Sequence, residues 1–328
     1  MKNKRATRQE CVLIDLPKPL DALSESEIER KLCIGKVMTH TISSLTSTFI
    51  ENGFQWLLPV TLSQSTDPLW PDPGASIDRR IEVDIYGKRV RTTSSMIVHK
   101  LVASSLVYHR LFVLSPNIRI EKAERAYTGK HVYEFTQLDF EARGASSKDI
   151  FSLVEGAICG LIASLKHDLK EELASLCRCD FVKVPRTPFK IYDRQELEQE
   201  YGSDWETGIA SASQEPVWIT NIPREFYDYE DFETGSWDNY DLFMPQFGEV
   251  LSGAKREWEY KKILKKIERD KVDKRNYALL LKLAKEGKIK QSAGAGIGME
   301  RLVGWITGVK HIGETQPFPR VPGIVHEL

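Results

Sequence analysis

Four stretches of this chain gather side chains that could do chemistry together. In "NIRIE" Arg119 and Glu121 share one face of an extended segment, and a polar, basic loop with Arg125, Lys130 and His131 follows. "EFTQLDFEAR" then returns with Phe135, Asp139 and Glu141 at odd positions, which puts all three on one face if the segment is a strand. Charges facing inward at period two are costly to bury unless they bind something or each other. A solvated outer face is the competing reading, but the alternate positions, Ile118, Ile120, Leu138 and Phe140 among them, do not read as polar exteriors. "NYDLFMPQFGEVLSGAKREWEY" supplies Asp241, Glu249 and Ser252, oxygen ligands of the kind hard Mg²⁺ accepts when it also holds phosphates. Arg256 in the same stretch offers a planar fork matched to a carboxylate. Taken singly, each of these is also an ordinary surface residue.

The fourth stretch is "SAGAGIGMERLVGW", in which Gly294, Gly296 and Gly298 alternate before an amphipathic run carrying Glu300 and Arg301. A dinucleotide fingerprint needs glycines at its first, third and sixth positions, so this is not one. Period two instead leaves one strand face without side chains, where a flat ring could lie against the backbone. The helix dipole and Arg301 would then face whatever lies there. Close helix–sheet packing accounts for the glycines as well, and both readings stand at this point.

Positioning these residues requires paired strands. "SESEIERKLCIGKVMTHTISSLTSTFIEN" predicts a helix over 24–52, opened by a capping box of Ser24 and Glu27. "FQWLLPVTL" predicts a short strand broken at Pro59. "RRIEVDIYGKRVRTTSS" predicts two strands about a "YGK" turn, "MIVHKLVASSLV" a helix, and "YHRLFVLSPNIRIE" with "HVYEFTQLDFEAR" two antiparallel neighbours. An amphipathic helix is expected over 148–176, a strand and short helix over 181–201, and further strands in "PVWITNIP" and "NYDLFMPQFGEVLSG". A charged helical segment spans 254–291. The tally is α+β, a mainly antiparallel sheet flanked by helices, in one domain over 1–328.

Bulk properties restrict the partners. The chain has 328 residues, 46 basic and 47 acidic, for a net charge of -1, so it carries no overall footprint for nucleic acid. The interspersed charges of "KREWEYKKILKKIERDKVDKR" read as a solvated helix face. The five cysteines, Cys11, Cys33, Cys159, Cys177 and Cys179, are odd in number and scattered, which suits a reducing compartment. The "CRC" pair lacks a partner pair at zinc spacing. The basic N-terminal stretch is too short in its apolar run for a signal peptide, no other stretch approaches a membrane span, and a cytoplasmic location is expected.

Taken in order, these motifs resemble the catalytic core of class II aminoacyl-tRNA synthetases. The helix and strand ending at Pro59 look like motif one, Arg119, Glu121 and "EFTQLDFE" like motif two, and "GAGIGMER" like motif three. "EFTQLDFE" and "GEVLSGAKRE" resemble the aspartyl and asparaginyl subgroup. "NIPREFYD", "SAGAGIG", "KHI" and "QPFPR" are similar to the archaeal asparagine synthetases related to asparaginyl-tRNA synthetase. The resemblance covers residues 25 to 325 and leaves no room before motif one for the subgroup's anticodon-binding domain. It implies a class II synthetase-like fold, a homodimer, and amidation of aspartate through β-aspartyl-AMP, giving asparagine, AMP and pyrophosphate. ATP, aspartate, and ammonia or an ammonia-supplying partner would then be the partners, with tRNA and membranes not expected. The alternatives are a truncated asparaginyl or aspartyl-tRNA synthetase paralogue, or a non-catalytic regulatory one.

Carried over by motif, the resemblance implies that Arg119 contacts the α-phosphate and the attacking carboxylate, and Glu121 the adenine amino group. Phe135 and Arg301 would sandwich the adenine, and His131 would meet the outer phosphates. Ser95 and Asp139 would hold the substrate amino group and Arg256 its far carboxylate, while Asp241, Glu249 and Ser252 would hold Mg²⁺. "SSMIVHK" departs from the aspartyl pattern, with Met96 in a glutamine place and His99 in a lysine place. His99 could serve as a base toward ammonium or as a packing residue. Asp241 and Glu249 also stand one residue further apart than in the family.

Overall fold

The computed structural model describes residues 14–69 and 77–327. The basic N-terminal stretch, Cys11 and part of the "STDPLWPDPGAS" loop lie outside them. Helix α1 (Glu25–Glu51) opens with the expected capping box: Glu27 N donates to Ser24 Oγ at 3.4 Å, and Ser24 N to Glu27 Oε2 at 2.8 Å. It leads to strand β1 (Gln55–Trp56), then β2 (Leu62–Ser63), β3 (Ile77–Arg79), β4 (Glu82–Ile85) and β5 (Lys88–Thr92). Strands β4 and β5 form the expected hairpin. Helix α2 (Ile97–Leu106) is followed by β6 (Arg110–Ile118), β7 (Ile120–Glu121) and β8 (Glu134–Arg143).

Beyond them lie helices α3 (Ser147–Asp168) and α4 (Lys170–Ser175), strand β9 (Lys190–Asp193), helices α5 (Arg194–Tyr201) and α6 (Trp205–Ala212), and strands β10 (Val217–Thr220), β11 (Asn239–Met244) and β12 (Gly248–Lys255). The charged segment begins later than predicted, because 254–255 still belong to β12. Its helices are α7 (Tyr260–Arg269) and α8 (Ala278–Lys285), ahead of β13 (Ser292–Gly298) and α9 (Met299–Thr307).

Eight strands form one sheet in the order β1-β6-β8-β13-β12-β11-β10-β9, antiparallel throughout its middle and parallel only in the pairs β1/β6 and β10/β9. The α+β expectation is met. One face is apolar by alternation: Phe112, Leu138, Phe140, Ala293, Ala295, Ile297 and Leu251 pack against α1, α3 and α9. Helix α3 is, by length and composition, apolar enough to cross a membrane, which corrects the sequence reading. Here its Ile150, Val154, Ile158, Leu161 and Leu165 are buried in this core. At roughly 25 cal/mol per Å² such a stripe is held by burial, not by helix propensity.

The other face is covered at its two sides and open between them. Helices α2, α7 and α8 enclose one apolar cluster around Leu101, Phe226 and Ile263, and α5 and α6 another around Trp205, Ile219 and Phe243. The uncovered middle is made of β8, β13, β12 and β11. There Gly294, Gly296 and Gly298 stand opposite Glu141, Asp139 and Gln137.

The three glycines answer to different constraints. A Cβ on Gly294 would collide with the Phe140 carbonyl and Glu141, whereas one on Gly298 would meet its nearest atom, Val250 O, at 3.6 Å. Gly294→Ala should therefore cost about 2–3 kcal/mol in urea unfolding, and Gly298→Ala well under 1 kcal/mol. Equal losses from the two would show that the strand has no such difference in clearance.

Candidate active site

The open middle of the sheet holds two cavities that share Arg119, Gln137, Glu249 and Gly296. The smaller, about 120 Å³, is lined by Glu121, His131, Phe135, Gly298 and Arg301. The larger, about 510 Å³, is lined by Ser95, Lys100, Asp139, Arg224, Asp228, Ser252 and Arg256. The tertiary fold thus brings all of the residues to which the resemblance gives a role, except His99 and Asp241, onto one continuous lining, and Asp241 lies directly behind it, paired with Ser252. Arg119 stands where the two cavities meet.

Strand parity delivers the floor. Asp139 and Glu141 on β8 point to the site because Leu138 and Phe140 take the core. Beneath the glycine strand, Lys100 Nζ donates to Asp139 Oδ1 at 2.7 Å and to the carbonyls of Ala295 and Phe140 at 3.1 and 3.2 Å, with Glu141 Oε2 at 3.8 Å. Arg256 donates to Asp228 Oδ1 at 2.6 Å, Glu141 Oε1 at 3.3 Å and Gly294 O at 3.0 Å. All five charged residues are at most 3 % exposed. Desolvation on this scale is tolerable only because almost every donor and acceptor is matched. Asp139 Oδ2 is the exception, buried and without a partner. Burial pushes the Asp228 carboxyl up, opposed by Arg256.

Several residues stand differently from their implied roles. His99 does not face the site: its Nε2 contacts Ser63 Oγ at 2.9 Å and it lines a separate, largely apolar cavity. One helical step of about 100° turns its neighbour Lys100 to the site instead. Arg256 has its donors engaged by Asp228, Glu141 and Gly294, so its fork is not open to a carboxylate unless that network rearranges. Phe135 carries Arg119 at 5.2 Å from its centroid, while Arg301 turns to Glu249 at 3.2 Å, so the two implied halves of the adenine sandwich are not stacked.

His131 is spoken for as well. Arg125 Nη2 donates to its Nε2 at 2.5 Å, which leaves Nδ1 as the donor toward Thr128 Oγ1 at 2.5 Å. Burial, with Arg301 and Arg125 close by, pushes its pKa down to about 2, so it brings a neutral ring to the smaller cavity. Glu121 is pushed up by burial while Arg125 opposes, and the two pair at 3.3 Å.

A β-bulge decides the geometry of the residues implied to hold Mg²⁺. Leu242 pairs with Leu251 but Phe243 with Glu249, so Val250 is the extra residue and Glu249 and Ser252 come to the same face. Asp241 pairs directly with Ser252. Between them lies a group that carries no role in the sequence reading: Arg224 donates to Asp241 Oδ2 and to Ser252 Oγ. Glu249 is paired with Arg301, and no cluster of three or more His, Cys, Asp or Glu suited to a metal occurs among the described residues. Asp241 Oδ1 remains unpartnered. A dication about 4 Å from a guanidinium would be repelled by about 8 kcal/mol at an effective dielectric of 20. The set Asp241, Glu249 and Ser252 therefore does not fit a Mg²⁺ site in this structure. Burial pushes Asp241 up to about 7 against the pull of Arg224, and Glu249 adds to the push.

Lys100, Arg224, Asp228 and Gln137 thus belong to the site without a sequence assignment. Lys100 had a signal in its place beside His99 within "SSMIVHK". Arg224 and Asp228 had only the stretch "NIPREFYD", with no spacing to tie them to β11 or β12.

Glu300 at the head of α9 accepts the Thr136 N–H with both oxygens, at 3.0 Å, and Gln316 Nε2 at 3.3 Å. Burial pushes its pKa up to about 7 despite these bonds. Its folded pKa lies above the unfolded value, so its ionised form is disfavoured by folding, and stability is lost as pH rises from about 4.5 to 7. Glu300→Gln removes the titration. Its unfolding free energy relative to the parent should improve by an amount on the order of 3 kcal/mol between pH 4.5 and 7.5. A pH-independent difference in chemical denaturation would show that Glu300 ionises freely.

Comparison with known proteins gives the family and the fold. The family described as tRNA synthetases class II (D, K and N) matches residues 36–322. The asparagine–tRNA ligase of Thermoplasma acidophilum is 25 % identical over 307 residues, 87 % of this chain and 68 % of that protein. The crystal structure of asparaginyl-tRNA synthetase from Pyrococcus horikoshii complexed with asparaginyl-adenylate superposes with a TM-score of 0.80 at 22 % identity, over 95 % of this chain and 76 % of that one. The Entamoeba histolytica asparaginyl-tRNA synthetase in complex with asparaginyl-adenylate gives 0.77 at 18 % identity, over 94 % and 72 %. With the family matched over most of this chain and the fold reproduced, the chain belongs to the class II tRNA synthetases of the D, K and N type.

Proposed function

We propose that the chain is an ATP-dependent ligase that activates asparagine as its acyl-adenylate, the reading nearest to its asparaginyl relatives. The observation that carries it is the pair of cavities joined at Arg119, one with an aromatic ring, a glycine floor and cations for a nucleotide, the other with buried polar groups for a small amino acid. In-line attack of the carboxylate oxygen on the α-phosphorus forms the new O–P bond as the bond to pyrophosphate breaks. Charge grows on the phosphoryl oxygens, and Arg119 is the cation placed to stabilise it. Holding both reactants in a near-attack pose in one continuous pocket can supply up to about 7–11 kcal/mol of the barrier reduction. Mg²⁺ would arrive with the nucleotide, and no step needs a covalent enzyme intermediate.

Charge selects the amino acid. The buried floor holds three carboxylates, Asp139, Glu141 and Asp228, against two cations, Lys100 and Arg256. One ammonium group at the unpartnered Asp139 Oδ2 would balance this formal excess, and a neutral carboxamide would leave it balanced. A second substrate carboxylate would restore an unpaired buried anion, which costs several kcal/mol.

A second reading has its own support. Two buried cations at the inner end, Lys100 and Arg256, would suit a carboxylate that displaced Glu141 or Asp228. Aspartate bound with its β-carboxylate at Arg119 would give β-aspartyl-AMP. Ammonia would attack the acyl carbon, AMP would leave, and asparagine would result.

ATP–pyrophosphate exchange separates these readings. Exchange that depends on asparagine, without tRNA or ammonium, is the expected result, and Arg119→Ala should lower it about 10²–10³-fold. Exchange with aspartate alone, accompanied by ammonium-dependent formation of asparagine and AMP, would establish the synthetase reading instead. Exchange with neither amino acid would overturn the adenylation proposal.

A further inference from the structure

We propose that Arg224 is the resident cation of the pole formed by Asp241 and Ser252, and that the chain binds no divalent metal there. The loop after β10 delivers it. Ile222 N donates to Asn239 Oδ1 at 2.9 Å and Asn239 Nδ2 to Ile222 O at 2.6 Å, which clamps the loop to β11 two residues before Asp241. Pro223 fixes the backbone between the clamp and Arg224. The guanidinium then closes on both members of the paired set, donating to Asp241 and to Ser252 directly across the strand boundary. Burial opposes its charge, but Asp241 and neighbouring carboxylates outweigh that, so the guanidinium stays protonated.

A guanidinium matches a carboxylate and a hydroxyl by its planar donors, whereas Mg²⁺ needs free oxygen lone pairs at short range. Both cannot use Asp241 and Ser252 at once. The remaining oxygen donor, Glu249, already faces Arg301. The positive charge at this pole is therefore part of the chain and does not dissociate. The inference concerns metal binding by the ligand-free protein and holds whichever amino acid is activated.

Titrating the full chain with Mn²⁺ in the absence of nucleotide, and following free Mn²⁺ by electron paramagnetic resonance, tests this without turnover. The parent should show no site tighter than about 1 mM. Arg224→Met should gain one site at least about tenfold tighter, and Arg224→Met combined with Asp241→Asn should lose it again. A stoichiometric Mn²⁺ site in the parent that Asp241→Asn abolishes would overturn the proposal, and that arm needs no change at Arg224. Failure of a folded Arg224→Met protein, with native circular dichroism, to gain a site would overturn it too.

Discussion

The buried ion network under the glycine strand is the constraint from which the rest of the site follows. Lys100, Asp139, Glu141, Arg256 and Asp228 come from helix α2, strand β8, the residue just after β12 and the loop before β11, and each is almost wholly out of water. A charge in that position is tolerable only if its partners are in place, so the network fixes how α2, β8, β12 and the loop before β11 sit relative to one another. Glu141 is its pivot: Ser292 Oγ donates to it at 2.7 Å, and both cations reach it. Gly294 is the price of fitting this cluster against the sheet, since its strand must pass within a hydrogen bond of Arg256 and leave room for Glu141.

The same strand changes role along its length. At Gly294 the missing side chain serves packing, whereas Gly296 and Gly298 line the smaller cavity. Packing therefore accounts for Gly294 alone, and the bare face lies at the other two. At the far side of the floor the chain balances charge by arginines: Arg301 answers Glu249, and Arg224 answers Asp241. Such fixed cations need no ligand to hold them, and they give the open cavity a polar lining before any substrate arrives.

Much of the architecture was legible along the chain. The capping box at Ser24, the hairpin over 82–92, the antiparallel pair over 110–143 and the strand-to-helix passage at 292–307 all lie where local patterns place them. Motif order also identified the family, and Arg119, Glu121, Phe135, Gly296, Gly298 and Arg301 from its separate motifs meet in one cavity. The errors fell where a role depended on which way a side chain turns. His99 and Lys100 are adjacent in sequence and on different faces in space. The bulge at Val250, which brings Glu249 and Ser252 to one face, has no local signal.

By itself, then, the sequence determined the elements, their mixed α+β class and the residue types that meet around Arg119, because period-two and period-3.6 burial are local properties of the chain. Only the tertiary structure decided which charges are spent on one another. Arg256 is engaged by Asp228, 28 residues away, and by Glu141, 115 residues away, and Arg224 reaches Asp241 on β11 from the loop after β10. Ion pairing at such separations depends on which surfaces the fold removes from water, and no spacing along the chain encodes that.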